Sequence, residues 1–326
     1  LGFVGDAGFV DPGNGDFSLL PWSPLINAGD PRLPADSDGT RADIGAIPYV
    51  HSTLSGIVGW GSDEFSQLSD APEFGDFSAL SAGYFHNLAL SSSGRLVSWG
   101  NDDLAQVSGT PTGAGFVAIE AGGFSSYALR QSGRIFAWGN DGYSQVSGTP
   151  TGHDFIGLGA GPFTAHAIRT DGSLVSWGRD TNGQVTRTPT GQGFVAVDAG
   201  QNHSLALRSD RSLVSWGDDW SGQVSGTPSS ADFQAIAAGY EHSIGLRTDG
   251  SLVSWGSDSY GQVSGTPTGF DFIAVAAGRF HSTALRANGQ VVAWGDDTDG
   301  QVSGQPSLGP VRLISAGRAH SIAVEY

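Results

Sequence analysis

The sequence lacks cysteine and lysine entirely, and each absence restricts what the chain can do. Without cysteine the chain forms no disulfide and has no thiolate to act as a nucleophile or metal ligand. Without lysine, all 15 basic residues are arginines, and 32 acidic residues bring the net charge to −17. A negative field of this size repels phosphate backbones, so we do not expect nucleic acid as a partner.

Long hydrophobic runs and helical periodicity are also missing. No apolar segment approaches the roughly 18 residues needed to span a membrane, so membrane insertion is not expected. Glycine, by contrast, occurs 51 times while hydrophobic residues remain at 38%. This combination is typical of an all-β chain with many short strands and tight turns. Because the chain opens at Leu1 without methionine or a signal-like segment, we expect it to be a piece of a longer protein.

Two dipeptides recur along the chain at a constant interval of 39 residues. Trp-Gly begins at Trp60, Trp99, Trp138, Trp177, Trp216, Trp255 and Trp294. Ala-Gly begins at Ala82, Ala121, Ala160, Ala199, Ala238, Ala277 and Ala316. A fixed period of this length indicates one supersecondary unit repeated in tandem, here seven times.

A single repeat, residues 272–304, predicts about four short strands. Apolar or alternating segments occupy 272–275, 281–286 and 290–294, and a last strand is expected to begin at Gln301. Four strands are the content of one propeller blade. The hairpin turn carries glycine in most repeats, but Arg211 takes its place in one. There either a positive φ costs about 1 kcal/mol or the turn has a different shape.

The two ends of the repeat region complement each other. The last unit, 316–326, stops where its hairpin turn should be, and the first, about 54–61, lacks the strand that should precede it. Pairing the two would complete one blade and remove the free edges of the ring. We therefore predict an all-β fold, a seven-bladed β-propeller closed by its N- and C-terminal strands.

The repeats resemble those of the RCC1 family. The resemblance rests on segments such as 238–246 and 249–256 and on the Gly261-Gln262-Val263 step, and it extends over residues 52–326. In rhythm it is similar to the bacterial repeats of BLIP-II, a β-lactamase inhibitor. Residues 1–50 resemble the last turns of a secreted, right-handed parallel β-helix of bacteria. Together these resemblances imply a secreted or cell-surface bacterial protein with two domains.

Two polar side chains keep their place in every repeat. Asp lies three residues after each Trp (Asp63 in the first copy), and Gln lies seven after it (Gln67). We expect Asp to accept backbone N–H bonds in a turn and Gln to tie the following strand. Calcium binding is the alternative. It needs several oxygen ligands, which only residues 296–300 approach, so no cofactor is expected elsewhere.

Histidine occupies the third position after the repeat glycine in five blades: His86, His203, His242, His281 and His320. Ser125 and Thr164 occupy it in the other two. Replacement by hydroxyl groups predicts a hydrogen-bonding role and not metal ligation.

Aromatic side chains vary between repeats at two places, after the glycine and after the tryptophan. Repetition places these loops on one rim of the disk, and exposed aromatics among polar groups mark protein interfaces. The predicted partner-binding residues are Phe65, Tyr84, Phe85, Phe124, Tyr143, Phe163, Trp220, Tyr240, Tyr260 and Phe280. The alternative is that they pack against neighbouring loops as local cores, which applies least to Trp220 and Tyr260.

These features predict a non-enzymatic, extracellular module that binds a protein partner, including other copies of itself in a surface layer or filament. No Ser-His-Asp set, metal cluster or phosphate loop has suitable spacing for catalysis. One alternative is binding or modification of carbohydrate, with Trp220 or Tyr260 stacked on a sugar. Another is inhibition of a secreted enzyme, which the resemblance to BLIP-II implies.

Overall fold

The computed structural model describes residues 56–326 and, before them, only the backbone of two strands, β1 (Phe9–Asp11) and β2 (Asp16–Leu19). These two strands pair antiparallel. The other residues of 1–50 lie outside the described part, so the β-helix-like domain stays a prediction. Residues 56–325 form a separate compact unit of strands, turns and loops. No helix among the described residues is long and apolar enough to cross a membrane.

The strands of this unit recur in sets of three. They are β3 (Ile57–Gly61), β4 (Phe77–Ala82), β5 (His86–Ser91), β6 (Leu96–Gly100), β7 (Phe116–Ala121), β8 (Ser125–Arg130), β9 (Ile135–Gly139), β10 (Phe155–Ala160), β11 (Thr164–Arg169), β12 (Leu174–Gly178), β13 (Phe194–Ala199), β14 (His203–Arg208), β15 (Leu213–Gly217), β16 (Phe233–Ala238), β17 (His242–Arg247), β18 (Leu252–Gly256), β19 (Phe272–Ala277), β20 (His281–Arg286), β21 (Val291–Gly295), β22 (Val311–Ala316) and β23 (His320–Glu325).

Each set of three strands forms one antiparallel sheet, and the seven sheets are the blades of a propeller. Six blades are continuous in sequence, from β4-β5-β6 to β19-β20-β21. The seventh joins the two ends in the order β22-β23-β3, with His320 opposite Gly61 and Val324 opposite Ile57. The predicted fold class and its closure are therefore confirmed.

The prediction of a fourth strand in each blade is wrong. In the specimen repeat, residues 301–304 form a turn. The backbone amides of Val302 and Ser303 donate to the carboxylate of Asp297, at 2.9 and 2.8 Å, and Gly304 N–H donates to the carbonyl of Gly300 at 2.9 Å. Because these amides are already bonded locally, they are not free to pair with a strand.

The hairpin turn at Arg211 keeps the shape of the other turns despite lacking glycine. Its φ is +70°, close to the +81° of Gly250 and the +79° of Gly172 at equivalent positions. The common turn geometry therefore overrides the preference of a side chain for negative φ, at a cost of about 1 kcal/mol.

The hydrophobic core is divided among the seams between blades. In one seam, Leu205 and Leu207 of β14 pack with Phe233 and Trp255 of the next blade, all less than one-tenth exposed. The closing seam repeats this arrangement, with Trp60 of β3 against Leu285 of β20. Each repeat therefore depends on its neighbours to bury its apolar face.

Candidate partner-binding face

The blades have two different ends. At one end Ala199, His203 and Gly217 lie together, and the loops that follow the repeat glycine and the repeat tryptophan emerge there. We call this end the loop face. At the other end Phe194 and Arg208 lie together beside the hairpin turns, and we call that end the turn face. Both sets of variable loops therefore lie on the same face of the propeller.

The side chains common to every repeat shape the loops after the tryptophan. Asp141 accepts the amides of Val146 and Ser147 at 2.9 Å each, and these bonds hold the pKa of its carboxyl below the usual range. The turn-forming role predicted for the repeat aspartates is confirmed. All seven make this pair of bonds: Asp63, Asp102, Asp141, Asp180, Asp219, Asp258 and Asp297.

The prediction that each repeat glutamine ties a following strand is wrong. Gln145 Oε1 accepts the amide of Tyr143 within the same loop, at 2.6 Å. Its backbone carbonyl accepts the indole N–H of Trp177 in the next blade, at 2.8 Å. The same two bonds occur in all seven repeats, and Trp60 reaches Gln301 across the closing seam at 2.9 Å. The glutamine therefore fixes its own loop and joins adjacent blades.

The histidines also join blades, which confirms their predicted hydrogen-bonding role. His203 Nε2 lies 2.8 Å from Ser243 Oγ in the following blade, and His242 Nε2 lies 2.9 Å from Ser282 Oγ. Both rings are fully buried. Burial lowers the pKa of His203 to about 4, so the ring is neutral at physiological pH.

The two blades without this histidine have substitutes two residues further along the strand. Beside Thr164, the ring of His166 lies with Nε2 2.8 Å from Ser204 Oγ, the hydroxyl that a histidine at 164 would meet. Beside Ser125, the hydroxyl of Tyr127 donates to the carbonyl of Gln145 of its own repeat at 3.1 Å, and its ring meets Trp177 of the next blade edge to face, at 5.9 Å between centroids. The contact between blades is therefore kept in both, from a different position.

Four of the predicted binding aromatics form one cluster on the loop face. The rings of Phe65 and Phe85 lie 4.6 Å apart between centroids, and Tyr84 and Phe124 lie 5.4 Å apart, edge to face. Phe85 and Phe124 join the two pairs at 6.0 Å. All four side chains are half-buried, so they pack as a local core while still presenting part of each ring.

Five more predicted aromatics form two smaller clusters. Tyr260 stacks on Phe280 at 4.8 Å, and Phe280 meets Tyr240 at 5.4 Å. Tyr143 meets Phe163 at 5.4 Å. Tyr143 and Tyr260 keep 49% and 48% of their surface exposed, so each is a supported ring with an open side.

Trp220 differs from the other nine predicted residues. It is 93% exposed and has no ring partner among the described residues. The alternative that the aromatics pack against neighbouring loops therefore applies in part to the other nine residues, and it does not apply to Trp220.

Three arginines complete the aromatic clusters, and they were missing from the predicted site. Arg279 lies over the rings of Tyr240 and Phe280, at 4.8 and 4.5 Å from their centroids. Arg318 lies over Phe85 at 4.9 Å, and Arg179 lies over Phe163 at 5.2 Å. Arg279 and Arg318 stand among the variable residues after the repeat glycine, which was the only signal in the sequence.

The clusters surround the mouth of an axial channel. A cavity of about 300 Å³ is lined by Tyr84, Phe85, Tyr240, Arg279 and Arg318, together with rings of two further blades. Below it the Ala-Gly segments of all seven blades form a collar that leaves only about 60 Å³. A Cβ on Gly122 would lie 2.7 Å from the carbonyl oxygen of Gly161, so the narrow collar requires glycine.

Beneath the collar, the inner strands of all seven blades enclose a chamber of about 450 Å³ that contains two carboxyl groups. Ser81 donates to Glu120 at 3.3 Å, and Asp198 accepts the amides of Ala199 and Ala238 at 2.8 Å each. Burial, with a smaller contribution from the charge of Asp198, raises the pKa of Glu120 to about 8. Burial likewise raises the pKa of Asp198 to about 6.

Metal ligation finds no support in the described residues. They contain no group of three or more His, Asp or Glu side chains placed to hold an ion. In the loop that most resembled a calcium site, the carboxylate of Asp296 accepts the Thr298 hydroxyl and the Gln301 amide, at 2.6 and 3.0 Å. Calcium binding at this loop stays an untested prediction.

The repeats match a known family model. Five segments match the model of the regulator of chromosome condensation (RCC1) repeat: residues 77–106, 116–145, 194–223, 233–262 and 272–301. A comparison with curated protein sequences gave no match.

Several solved structures have a similar fold. Prp20p from Saccharomyces cerevisiae superposes with a TM-score of 0.69 and 20% identity, over 85% of this chain and 92% of its own. The ectodomain of the receptor kinase CR4 from Physcomitrella patens gives 0.63 and 23%, over 75% and 69%. Human WBSCR16 gives 0.67 and 14%, over 83% and 100%. The unit formed by residues 56–325 is therefore a seven-bladed β-propeller that contains five RCC1 repeats.

Proposed function

We propose that the protein is a non-enzymatic interaction module whose loop face binds a protein partner. The observation that carries this proposal is the ring of aromatic and arginine side chains around the channel mouth. Aromatic residues and arginine are the types most enriched at the energetic centres of protein interfaces. The partly open rings of Tyr143 and Tyr260 and the exposed Trp220 give this face accessible apolar surface.

The contrast between constant and variable residues supports the same proposal. The Asp, Gln and Trp residues present in every repeat are engaged in hydrogen bonds that build the scaffold. The side chains that differ between blades project from the same loops. A scaffold that holds variable loops in fixed places is a common basis for binding surfaces.

The structural neighbours include proteins with known protein partners. The study of Prp20p describes its binding to Gsp1p and histones, and yeast RCC1 (Prp20) has been crystallised with Kap60 bound. The CR4 structure is the ectodomain of a receptor kinase. These partners belong to those proteins. They support the proposal by showing the fold in protein recognition.

The proposal includes a secreted or cell-surface setting in a bacterium. Its support is the resemblance of residues 1–50 to the end of a secreted β-helix and of the repeats to BLIP-II. A secreted enzyme and a second copy of this chain both fall within the proposed class of protein partner. Sedimentation of the purified chain across a concentration series would separate self-assembly from binding of a different protein.

The test compares capture by variants of the two faces. Trp220→Ala with Tyr260→Ala removes two exposed rings that the core does not use, whereas Ile156→Ala with Ile273→Ala is a matched change on exposed turn-face side chains. With native extracts of the source cells as probe, we expect the loop-face variant to lose capture at least tenfold and the turn-face variant to keep it. Unchanged capture by the loop-face variant would contradict the proposal.

One observation favours carbohydrate as a second candidate ligand. A cavity of about 360 Å³ beside the channel mouth combines the ring of Tyr260 with the carboxylates of Glu64 and Asp299. Stacking rings with nearby carboxylates can hold a sugar. Binding to a glycan array that Tyr260→Ala abolishes would support this candidate, and an array without signal would remove it.

A further inference from the structure

We propose that the channel mouth on the loop face is a carboxylate-recognition site, which receives an acidic side chain of the protein partner between Arg279, Arg318 and the hydroxyl of Tyr84. This inference rests on the proposed function, because it assigns the chemistry of the contact at the centre of the same face.

The first supporting observation is an unsatisfied hydroxyl. The oxygen of Tyr84 is buried and has no hydrogen-bond partner among the described residues. Leaving a buried donor unpaired costs about 1–3 kcal/mol, and native structures rarely retain one without a reason. An acceptor brought by a ligand would satisfy it.

The second observation is a pair of uncompensated positive charges. In the described residues, neither Arg279 nor Arg318 has a carboxylate within ion-pair distance, although the chain carries a net charge of −17. The guanidinium carbon of Arg279 lies 4.5 Å from the centroid of Phe280 and that of Arg318 lies 4.9 Å from the centroid of Phe85, and these ring contacts help to position both groups. A guanidinium held in this way is prepared for bidentate contact with a carboxylate.

The third observation is that these groups share one cavity. Tyr84, Arg279 and Arg318 line both the mouth of the channel and the adjoining cavity beside Tyr260. Burial raises the pKa of Tyr84, and the charges of the two arginines oppose that rise, which places both guanidinium groups within electrostatic reach of the hydroxyl. Donors from three different loops therefore converge on one space.

The surrounding charges select the kind of anion. Glu64, Asp296 and Asp299 line the adjoining cavity and would repel a ligand with several negative charges. The apolar rings of Phe85 and Tyr240 at the mouth suit a side chain with an aliphatic stem. A single Asp or Glu side chain on a protein surface meets both conditions, and a polyphosphate or nucleic acid meets neither.

The experiment selects peptides from a phage-displayed library of random 12-residue sequences. The baits are the unchanged protein, the double variant Arg279→Gln/Arg318→Gln, and the control Arg208→Gln. Arg208 also lies over a ring, at 4.4 Å from Phe194, and has no ion pair among the described residues, but it belongs to the turn face. Circular dichroism and thermal unfolding confirm that each bait is folded.

We expect the unchanged protein and Arg208→Gln to enrich peptides with Asp or Glu at a fixed position, and the double variant to lose that enrichment. A selected peptide made synthetically should bind the double variant at least tenfold more weakly. Replacing its acidic residue by the amide should cause a similar loss, and combining the two changes should add little. The variant Arg279→Lys/Arg318→Lys should bind the peptide more tightly than Arg279→Gln/Arg318→Gln.

Other outcomes separate the two proposals. Peptides without an acidic preference, bound equally by the double variant but lost in Trp220→Ala/Tyr260→Ala, would overturn the carboxylate site and leave the loop face as an interface. Peptides whose binding no loop-face variant alters would overturn both. Binding of a single-stranded 20-nucleotide DNA probe at the mouth, lost in the double variant, would contradict the selection against polyanions.

Discussion

The two faces of the propeller use the same arginine–aromatic contact in different ways. On the turn face, Arg247 lies 5.2 Å from the centroid of Phe233 and pairs with Asp232 at 2.6 Å. Arg286 makes the same pair with Asp271 at 2.6 Å. On the loop face, Arg279 and Arg318 lie over rings without a carboxylate partner among the described residues. The turn face neutralises the charges of Arg247 and Arg286 within their own blades, although Arg208 stays unpaired in the described part of the chain, and the loop face leaves the charges of Arg279 and Arg318 available.

The faces also differ in what holds neighbouring blades together. Near the loop face the blades are joined by buried bonds, such as His242 to Ser282 and Trp255 to the carbonyl of Gln223. On the turn face the ion pairs are partly exposed and lie within one blade. Backbone bonds join the blades at both ends, as where Phe233 N–H donates to the carbonyl of Arg211 at the turn face, at 3.2 Å. The buried side-chain bonds between blades are concentrated at the end that carries the variable loops, and they help to keep those loops in fixed positions.

The strongest test of this difference in cohesion is acidification, which should weaken the buried histidine bonds near the loop face. Burial lowers the pKa of His86, His203 and His281 to about 4, and of His166, His242 and His320 to about 3. The unfolded chain binds protons near pH 6.5, so this contribution to stability is complete above that pH and is lost as the pH falls towards 4.

At pH 5 we expect each of the six histidines to lower the free energy of unfolding by about 2 kcal/mol. Together they would lower it by on the order of 10 kcal/mol, which is comparable with the whole stability of a domain. Chemical denaturation followed by tryptophan fluorescence at pH 7.5 and pH 5 measures the effect. Equal midpoints at the two pH values would show that the buried histidines do not control cohesion.

A single buried bond is the next largest test. His242→Ala removes a fully buried ring and leaves the Ser282 hydroxyl without its partner. We expect a loss of about 3 kcal/mol from the cavity and the unpaired group. Denaturant unfolding at pH 7.5 checks it, and a loss below 1 kcal/mol would mean that the seam can close without the histidine.

The chamber between the two faces responds to pH with the opposite sign. The raised pKa of Glu120, about 8, means that its contribution is complete below pH 4.5 and is lost as the pH rises to 8. Glu120→Gln should therefore stabilise the protein by on the order of 2 kcal/mol at pH 8 and leave it unchanged at pH 4. A variant equally stable as the parent at pH 8 would show that the carboxyl is solvated in the chamber.

A smaller gain is expected at the strained turn of the turn face. Arg211→Gly replaces a side chain held at a φ of +70° by the residue that tolerates it. We expect about 1 kcal/mol of stabilisation, partly offset by the greater freedom of glycine in the unfolded chain. Thermal unfolding measures it. A lower midpoint would show that the arginine side chain makes a contact worth more than the strain.

The smallest effect is expected from the turn-face ion pairs. Arg247→Gln removes one partner of a pair whose side chains remain 29% and 40% exposed. Such pairs contribute at most about 1 kcal/mol and weaken with salt. Unfolding in 0.05 and 0.5 M salt should show a difference between parent and variant that shrinks at high salt. A loss as large as that of His242→Ala would abolish the proposed difference in cohesion.

The sequence predicts the scaffold well because a residue shared by all repeats meets the same neighbours in each blade. The Trp and Asp residues that every repeat shares have one environment copied seven times, so a role inferred in one blade holds in the others. The error of a fourth strand has a local cause. Val302 suits a strand by propensity, but its amide and the next are bonded to Asp297, and an adjacent carboxylate of this kind competes with strand pairing.

The candidate site is less predictable because it forms between blades. Arg318 belongs to the last blade and Phe85 to the first, and they meet only because the ring closes. The substitution of His166 for the missing histidine beside Thr164 likewise depends on how far a ring reaches into the next blade. The 39-residue spacing shows which positions are equivalent in different blades. It does not show which way a side chain points at the boundary between two blades, and these contacts depend on that direction.

The closing blade also determines how the ring responds to mechanical load. Ile57 of β3 and Val324 of β23 face each other at one end of an antiparallel pair. A pull applied between residues 57 and 325 therefore opens this pair as a zip, one hydrogen-bonded step at a time from Ile57, and does not shear all its bonds together. The pairing of β3 with β23 would therefore open at low force, while the six sequence-continuous blades kept their strands paired.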